Sequence, residues 1–444
     1  MTVTRAPYLD AGLSIEARVD DLLARMTIEE KVAQLGSIWS FEVVRDGELD
    51  IDRARTLLGT GIGQVTRIAG GTNLDADGVA TAANEVQAYL VEETRLGIPT
   101  IFHEEALHGL LAREAPSFQQ SIGAAAAWDT ALVEQMAATV RRRMLATGAR
   151  QALGPVLDTS RDPRWGRIEE TYGEDPYLAA ELGCAYVRGL QGSDLATGVL
   201  ATGKHMVGHG LAEGGLNQAP VHIGRRELLD EQLLPFEAAV RAAGLASIMP
   251  AYCDVDGMPC HASRELLTTI LRDRWGFDGI VVSDYTAIQM LSTQHQLTGD
   301  LRIAAGLSLQ AGLDSELPKT AVFGAPLIQA LADGLVDQTL VDTAVGRILR
   351  MKFRLGLFET PSIQPPDPAA MAELAVEEAR VARLLARRSM VLVENDGILP
   401  LAATGQRIAV IGPIAASARD LLGDYAHLLH IETLAEMRQT KDNV

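Results

Sequence analysis

Six short apolar runs recur along this chain, separated by longer amphipathic stretches. They are "GIGQVT" (61–66), "IPTIFHE" (98–104), "ARQALGPVLD" (149–158), "GVLATGKH" (198–205), "ASIMPAY" (246–252) and "GIVVSDY" (279–285). Segments such as "DTALVEQMAATVRRRMLATG" and "RRELLDEQLLPFEAAVRAAG" lie between them and read as helices, and Thr27 with Glu30 has the spacing of a capping box. Strands without polar alternation, each followed by a helix, are the pattern of a buried parallel sheet. Five of the six runs turn polar at the C-terminal end, at Glu104 and Glu105, Asp158, Lys204 and His205, Tyr252, and Asp284. In a β/α barrel those ends converge on one face, so residues far apart in sequence line one pocket. A doubly wound open sheet predicts similar clustering at its switch point, and the barrel is the favoured reading of the two.

A Pro-rich stretch, "ETPSIQPPDPAA" (359–370), follows the last barrel-like helix and reads as a linker. The expected organisation is a β/α barrel over 1–358, the linker over 359–370, and the incomplete beginning of a C-terminal α/β sandwich over 371–444. That last segment offers one helix (371–388) and two strand-like runs, 390–394 and 408–412, too little to bury a core of its own. Exposed strand edges there predict association, and a homodimer is the simplest form.

The net charge of −19 argues against a nucleic-acid partner, since phosphate binding needs clustered Lys and Arg. No uncharged apolar segment is long enough to span a bilayer, and "MTVTRAPYLDAGLSIEARVDDLL" lacks the apolar core of a signal peptide. The three cysteines, Cys184, Cys253 and Cys260, do not form a disulfide framework. These features together lead to the expectation of a cytoplasmic protein with idle thiols.

The stretch "GIPTIFHEEALHG" (97–109) looks at first like a metal site. His103 and His108 are five residues apart, however, about 140° round a helix, so they cannot chelate one ion as a zincin pair does. A looser set of His103, His108, His205, His209 and Glu105 leaves a metal-dependent barrel hydrolase as an alternative. "GTGIG" (59–63) reads as a turn before a strand, because no nucleotide-binding Lys follows it. The loop "PVLDTSRDPRWGRIEETYGEDPYL" (155–178) interleaves Arg161, Arg164 and Arg167 with carboxylates and with Trp165 and Tyr172. Such a mixture suits a sugar, whose hydroxyls meet charged groups and whose ring faces meet aromatics. In "ATGKHMVGHGLAEGGLNQAPVHIG" (201–224), Lys204 points toward the barrel mouth and needs a carboxylate or substrate oxygen to meet it. Asp284 in "GFDGIVVSDYTAIQML" (276–291) is either a helix N-cap or a reactive carboxylate, and Ser283 beside it is an alternative cap.

Together with "MPAYCDVDGMPCHASRELLTTILRDRWGFDGIVVSDY" and "SMVLVENDGILPL…RIAVIGP", these segments occur in one order along essentially the whole chain. In that order the chain resembles the family-three glycoside hydrolases, in their β-glucosidase and β-xylosidase branch. The resemblance implies a retaining exo-glycosidase that hydrolyses terminal non-reducing β-D-glucosyl or β-D-xylosyl residues, with Asp284 as nucleophile. It implies that Glu105, Arg167, Lys204 and His205 hold the sugar hydroxyls, that Met249 and Tyr252 lie beneath the nucleophile, and that Tyr285 flanks the sugar. Cationic neighbours are expected to keep Asp284 ionised. No metal or organic cofactor is implied, and the partner is an oligosaccharide or an aryl or alkyl β-glycoside. Many β-glucosidases of the family carry Asp at the position of Glu105, and the longer side chain here leans toward xylose. The loop after "KH" lacks the His that serves the N-acetylglucosaminidase branch as acid/base. In the two-domain branch the acid/base is a Glu from the second domain, beyond this chain, with Glu213 the only substitute in the loop. A sugar-binding or catalytically impaired fragment without its acid/base is therefore the second alternative.

Overall fold

Strands form at all six apolar runs, and a seventh precedes them. The computed structural model describes residues 6–441, with side chains to residue 436. The barrel strands are β1 (Ser37–Trp39), β2 (Gln64–Thr66), β3 (Ile101–Glu104), β4 (Gln151–Ala152), β5 (Leu200–Met206), β6 (Ser247–Pro250) and β7 (Ile280–Val281). They lie side by side in chain order, and each neighbouring pair is parallel. Almost every strand residue is buried, which is why the sequence runs are apolar throughout rather than alternating.

Residues 314–316 close the sheet. On one side the Asp314 amide donates to Val281 O at 2.8 Å and the Ser283 amide to Ser315 O at 2.8 Å. On the other, the Glu316 amide donates to Leu35 O at 2.8 Å and Ser37 Oγ to Glu316 O at 2.7 Å. The chain is thus an α/β protein whose parallel sheet curls into a TIM-like barrel.

Helices follow the strands, and several begin where a side chain satisfies their free amides. Asp129 caps α1 (Thr130–Ala146), and Asp175, with Pro176 in the first turn, caps α2 (Pro176–Gln191). The Thr27–Glu30 capping box is present, with both of its reciprocal hydrogen bonds.

Beyond the barrel, Asn84 grips the linker by donating to Ile363 O at 2.9 Å and accepting from the Ile363 amide at 2.9 Å. The helix expected over 371–388 forms as α3 (Pro368–Arg388). It packs on α1 through a buried Arg143–Glu378 pair, with Nε to Oε1 at 2.8 Å. The strands expected at 390–394 and 408–412 do not form: both runs are irregular and solvent-exposed. A strand needs a partner for its backbone groups, and none is aligned with either run among the described residues. The chain then returns to the barrel mouth as α4 (His427–Lys441). Among the described residues no helix is long and apolar enough to cross a membrane, and the three thiols are free and buried.

Candidate active site

The polar strand ends do converge. Glu105 follows β3, Lys204 and His205 lie on β5, Tyr252 follows β6, Asp284 and Tyr285 follow β7, and Arg167 reaches in from the loop after β4. Met249 is buried on β6.

Glu105 is the centre of one cluster. Its Oε2 is 2.9 Å from Lys204 Nζ, and its Oε1 pairs with Arg67. Burial opposes ionisation of this carboxyl, but Lys204 and then Arg67 outweigh it and hold the group down at about 2. Arg67 Nε donates to the Tyr285 hydroxyl at 2.8 Å, and His103 Nε2 lies 3.2 Å from the same oxygen. Glu104, one residue earlier on β3, faces the other way. It accepts the Ala69 and Gly70 amides at 2.7 and 3.0 Å, and burial raises it to about 7.

Asp284 is the centre of the other. Its Oδ1 accepts the Tyr285 amide at 2.7 Å, and its own amide donates to His261 Nε2 at 3.0 Å. Oδ2 is buried without a hydrogen-bond partner among the described residues. Tyr252 lies close enough to favour the ionised carboxylate but falls short of full hydrogen-bond geometry. The nearest basic group, His205 Nε2, is 3.6 Å from Oδ2.

His205 cannot satisfy that oxygen, because both ring nitrogens are committed. Nδ1 is 2.7 Å from Asp158 Oδ2, and Arg167 Nη2 approaches Nε2 at 3.1 Å. Burial, with Arg167 next in weight, keeps the imidazole neutral. The partners then assign the tautomer: Nδ1 carries the proton toward Asp158, and Nε2 accepts from Arg167. Arg167 is fixed in turn by Glu170, with Nε to Oε1 at 2.7 Å and Nη2 to Oε2 at 2.8 Å, and by His209 at 3.2 Å.

Several expectations need correction. Cationic neighbours do not dominate at Asp284: burial pushes its carboxyl above the usual range, and Arg167 and Lys204 only oppose that push. Trp165 and Tyr172 offer no face to a ligand, since they are 1% and 3% exposed, and Trp165 packs edge-on against His209. Asp284 is no helix cap, because the next helix (Ala287–Thr293) starts after Thr286 with no side-chain cap. Ser283 does not cap it either, since its hydroxyl accepts the Leu317 amide at 2.9 Å. Glu213 is exposed, with its carboxylate 3.4 Å from His222 Nε2. No three His, Cys, Asp or Glu side chains are grouped to hold a metal ion among the described residues, and His108 is instead engaged by the Asp424 carbonyl at 2.7 Å.

The sequence reading missed Arg67 and Tyr425, named His209 only as part of a loose metal set, and counted Glu170 only among the carboxylates of its loop. Tyr425 lies over the site. Arg167 Nη2 donates to its hydroxyl at 3.3 Å, and Lys204 Nζ is 5.2 Å from its ring centre. The turn before α4 is pinned by the Asp424 amide, which donates to Glu169 Oε1 at 3.0 Å.

A curled parallel barrel whose mouth gathers a half-tethered carboxylate and buried carboxylate–cation pairs has the arrangement of a barrel hydrolase. The sequence profile of the glycosyl hydrolase family 3 N-terminal domain matches residues 27–351, and the chain belongs to that family. It is 34% identical to a putative β-xylosidase of Formosa agariphila over 97% of this chain and 58% of that protein. A β-glucosidase from Erythrobacter marinus superposes with a TM-score of 0.83 at 37% identity, covering 89% of this chain and 53% of that one. The Listeria innocua β-glucosidase in complex with glucose gives a TM-score of 0.81 at 31% identity, covering 93% and 56%. The chain therefore spans a little over half the length of each of these three relatives.

Proposed function

We propose that this chain carries the nucleophile and sugar pocket of an exo-acting retaining β-glycosidase, acting on terminal β-D-glucosyl or β-D-xylosyl residues. The observation that carries this reading is the asymmetry of Asp284: one oxygen is tethered and the other is buried with nothing bonded to it among the described residues. A buried acceptor without a donor is costly and marks a functional position. In the reaction Oδ2 bonds to the anomeric carbon as the bond to the aglycone oxygen breaks, giving a glycosyl-Asp284 ester that water later hydrolyses. Arg167 and Lys204 favour the ionised nucleophile, while Glu105 accepts sugar hydroxyls. The names of the relatives, β-xylosidase and β-glucosidase, support the substrate class.

Glu105, Glu170 and Asp158 are each engaged by a cation or an imidazole, which leaves none of them free as general acid. The acid/base would come from a further region of the whole protein, as the relatives' greater length permits. The same observation favours a second reading, a sugar-binding fragment. An activated aryl β-glycoside separates the two, because a good leaving group departs without acid assistance. Burst release with a glycosyl adduct on Asp284 supports the glycosidase, and Asp284→Ala should lower the first step by roughly 10⁴-fold or more. An Asp284→Ala protein that cleaves at the normal rate ends this reading.

A further inference from the structure

The closing segment runs parallel to β7, so residues 312–313 enter it from the end of the barrel away from the pocket mouth. Beside them a hollow of about 400 Å³ opens on the outer wall. It lies between helix Glu265–Arg274, the end of helix Leu301–Ala311 and helix Gln338–Arg354. The residues of the sugar pocket take no part in it.

The charges around this hollow do not balance. Asp314 is buried and shared by two arginines: Arg272 Nη2 is 2.7 Å from its Oδ2, and Arg347 Nη1 is 2.9 Å from its Oδ1. Oδ2 also accepts the Val281 amide at 2.8 Å, so one carboxylate serves two guanidinium groups and β7 at once. Arg272 is buried, and its Nε has no hydrogen-bond partner among the described residues. Arg347 lines the hollow, and so does Arg264, which has no carboxylate partner among the described residues. The acids nearby in sequence are taken: Glu265 is bonded to Arg225, Asp342 lies 2.6 Å from Lys31 Nζ, and Asp278 lies 3.5 Å from Arg354 Nη1. Asp273 does not line the hollow. Carbonyl oxygens at the helix end are occupied as well, Ala311 O by the Thr268 hydroxyl at 2.7 Å and Gly312 O by Arg272 at 3.3 Å. Three guanidinium groups thus face a single carboxylate. A cation withdrawn from water without a partner is costly. In a chain of net charge −19 such an excess is a local feature, not part of a basic surface.

We propose that this hollow is an accessory binding site for a small organic oxyanion, held by Arg264 and Arg347. Guanidinium groups match the planar oxygens of a carboxylate or the oxygens of a phosphate. Gln310 adds a neutral donor, and Leu309, Leu313 and Leu340 give an apolar wall for the body of the ligand. A bound anion supplies the charge that Asp314 has to divide. It ties helix Gln338–Arg354 to the segment that closes the barrel, so binding stabilises the fold.

The test is the melting temperature of this chain titrated with inorganic phosphate and, separately, with glucuronate, against sodium chloride at matched ionic strength. A saturable rise that chloride does not give is expected. The probe that saturates at the lower concentration shows whether the site favours a phosphate or a carboxylate. Arg264→Gln and Arg347→Gln should each raise the half-saturating concentration about tenfold, the effect of losing one charged hydrogen-bonding partner. Arg226→Gln removes the same charge from a side chain outside the hollow and should leave that concentration unchanged. Arg347→Gln still leaves Asp314 bonded to Arg272. If that variant nevertheless fails to fold, Arg264→Gln carries the test, because Arg264 has no carboxylate partner to lose. No rise with either probe overturns the proposal, as does a rise that never saturates. A shift that Arg226→Gln reproduces also overturns it, since the cause is then net charge and not this site.

Discussion

His205 Nδ1 lies 2.7 Å from Asp158 Oδ2, and that contact decides which nitrogen of the imidazole faces Asp284. With the proton held on Nδ1, Nε2 is an acceptor. It takes a hydrogen bond from Arg167 and leaves Asp284 Oδ2 unpaired among the described residues. An imidazole with the opposite tautomer would donate to Asp284 and quench the oxygen that attacks in the proposed reaction.

Asp158→Asn should therefore damage the reaction without damaging the fold. An amide nitrogen opposite Nδ1 shifts the proton to Nε2, where it repels Arg167 and ties up Asp284. Glycosylation of Asp284 should slow by roughly 10²-fold or more, as wrong-tautomer substitutions do in other sites. Burial raises the Asp158 carboxyl to about 7, so the ionised form that orients His205 is lost as the pH falls through that value. The wild-type rate of adduct formation should show an acid limb near pH 7 that the Asn variant lacks. An identical pH profile in both proteins would contradict the assignment.

Tyr425 covers the same centre. Its hydroxyl and ring occupy Arg167 and Lys204, the two cations that also act on Asp284. On the proposed reading a sugar needs those groups, and the turn before α4 then has to yield before substrate is seated. If the covered form predominates, Tyr425→Ala should speed labelling of Asp284 by roughly tenfold, because apparent affinity scales with the fraction that is open. Tyr425→Phe, which keeps the ring, should fall between. A slower Ala variant would mean that the ring helps to bind the sugar instead of blocking it.

How much of this was legible in the sequence follows from element length and chain distance. Glu105, Lys204, His205 and Asp284 each end an apolar run, and the parallel sheet brings such ends together whatever lies between them. Arg67 ends β2 in the same way, but the run "GIGQVT" stops one residue before it, and the left-handed turn that aims it inward leaves no sequence signal. β1 has three residues and the closing segment three, too few for periodicity to register. Trp165 carried the composition of a sugar platform, yet composition does not say which way a ring points. The runs at 390–394 and 408–412 read as strands because their residues favour strands, but propensity without a partner does not make a sheet.

Those two runs carry a consequence for association. Val393 and Ile411 are 92% and 91% exposed, and Met390, Val391, Leu392, Ile408 and Val410 are exposed around them. Contiguous apolar surface of this kind drives contact between molecules. The chain should associate with rising concentration in light scattering, and Val393→Asp with Ile411→Asp should move it toward the monomer. Concentration-independent monomers in the wild type would show that the runs cover one another in solution.

Lys352 gives the clearest pH test of stability, at the end of the barrel opposite the pocket. It is fully buried, and among the described residues no carboxylate lies beside it and its Nζ is met only by Gln34 Oε1 at 2.6 Å and Ile62 O at 3.3 Å. Burial lowers its pKa from the usual 10.5 to about 7. Between those two values the unfolded chain holds a proton that the folded chain does not, so the folded state gains on the unfolded one as the pH rises. Below about 7 both states are protonated and the dependence vanishes. Lys352→Met removes the titrating group. The stability of the wild type minus that of the variant, from urea unfolding, should climb from pH 7.5 to 9.5 with a slope approaching 1.4 kcal/mol per pH unit, roughly one proton's worth. The variant should therefore be at its greatest relative advantage near or below neutrality. A difference that stays flat over this range would show that Lys352 remains charged inside the folded barrel.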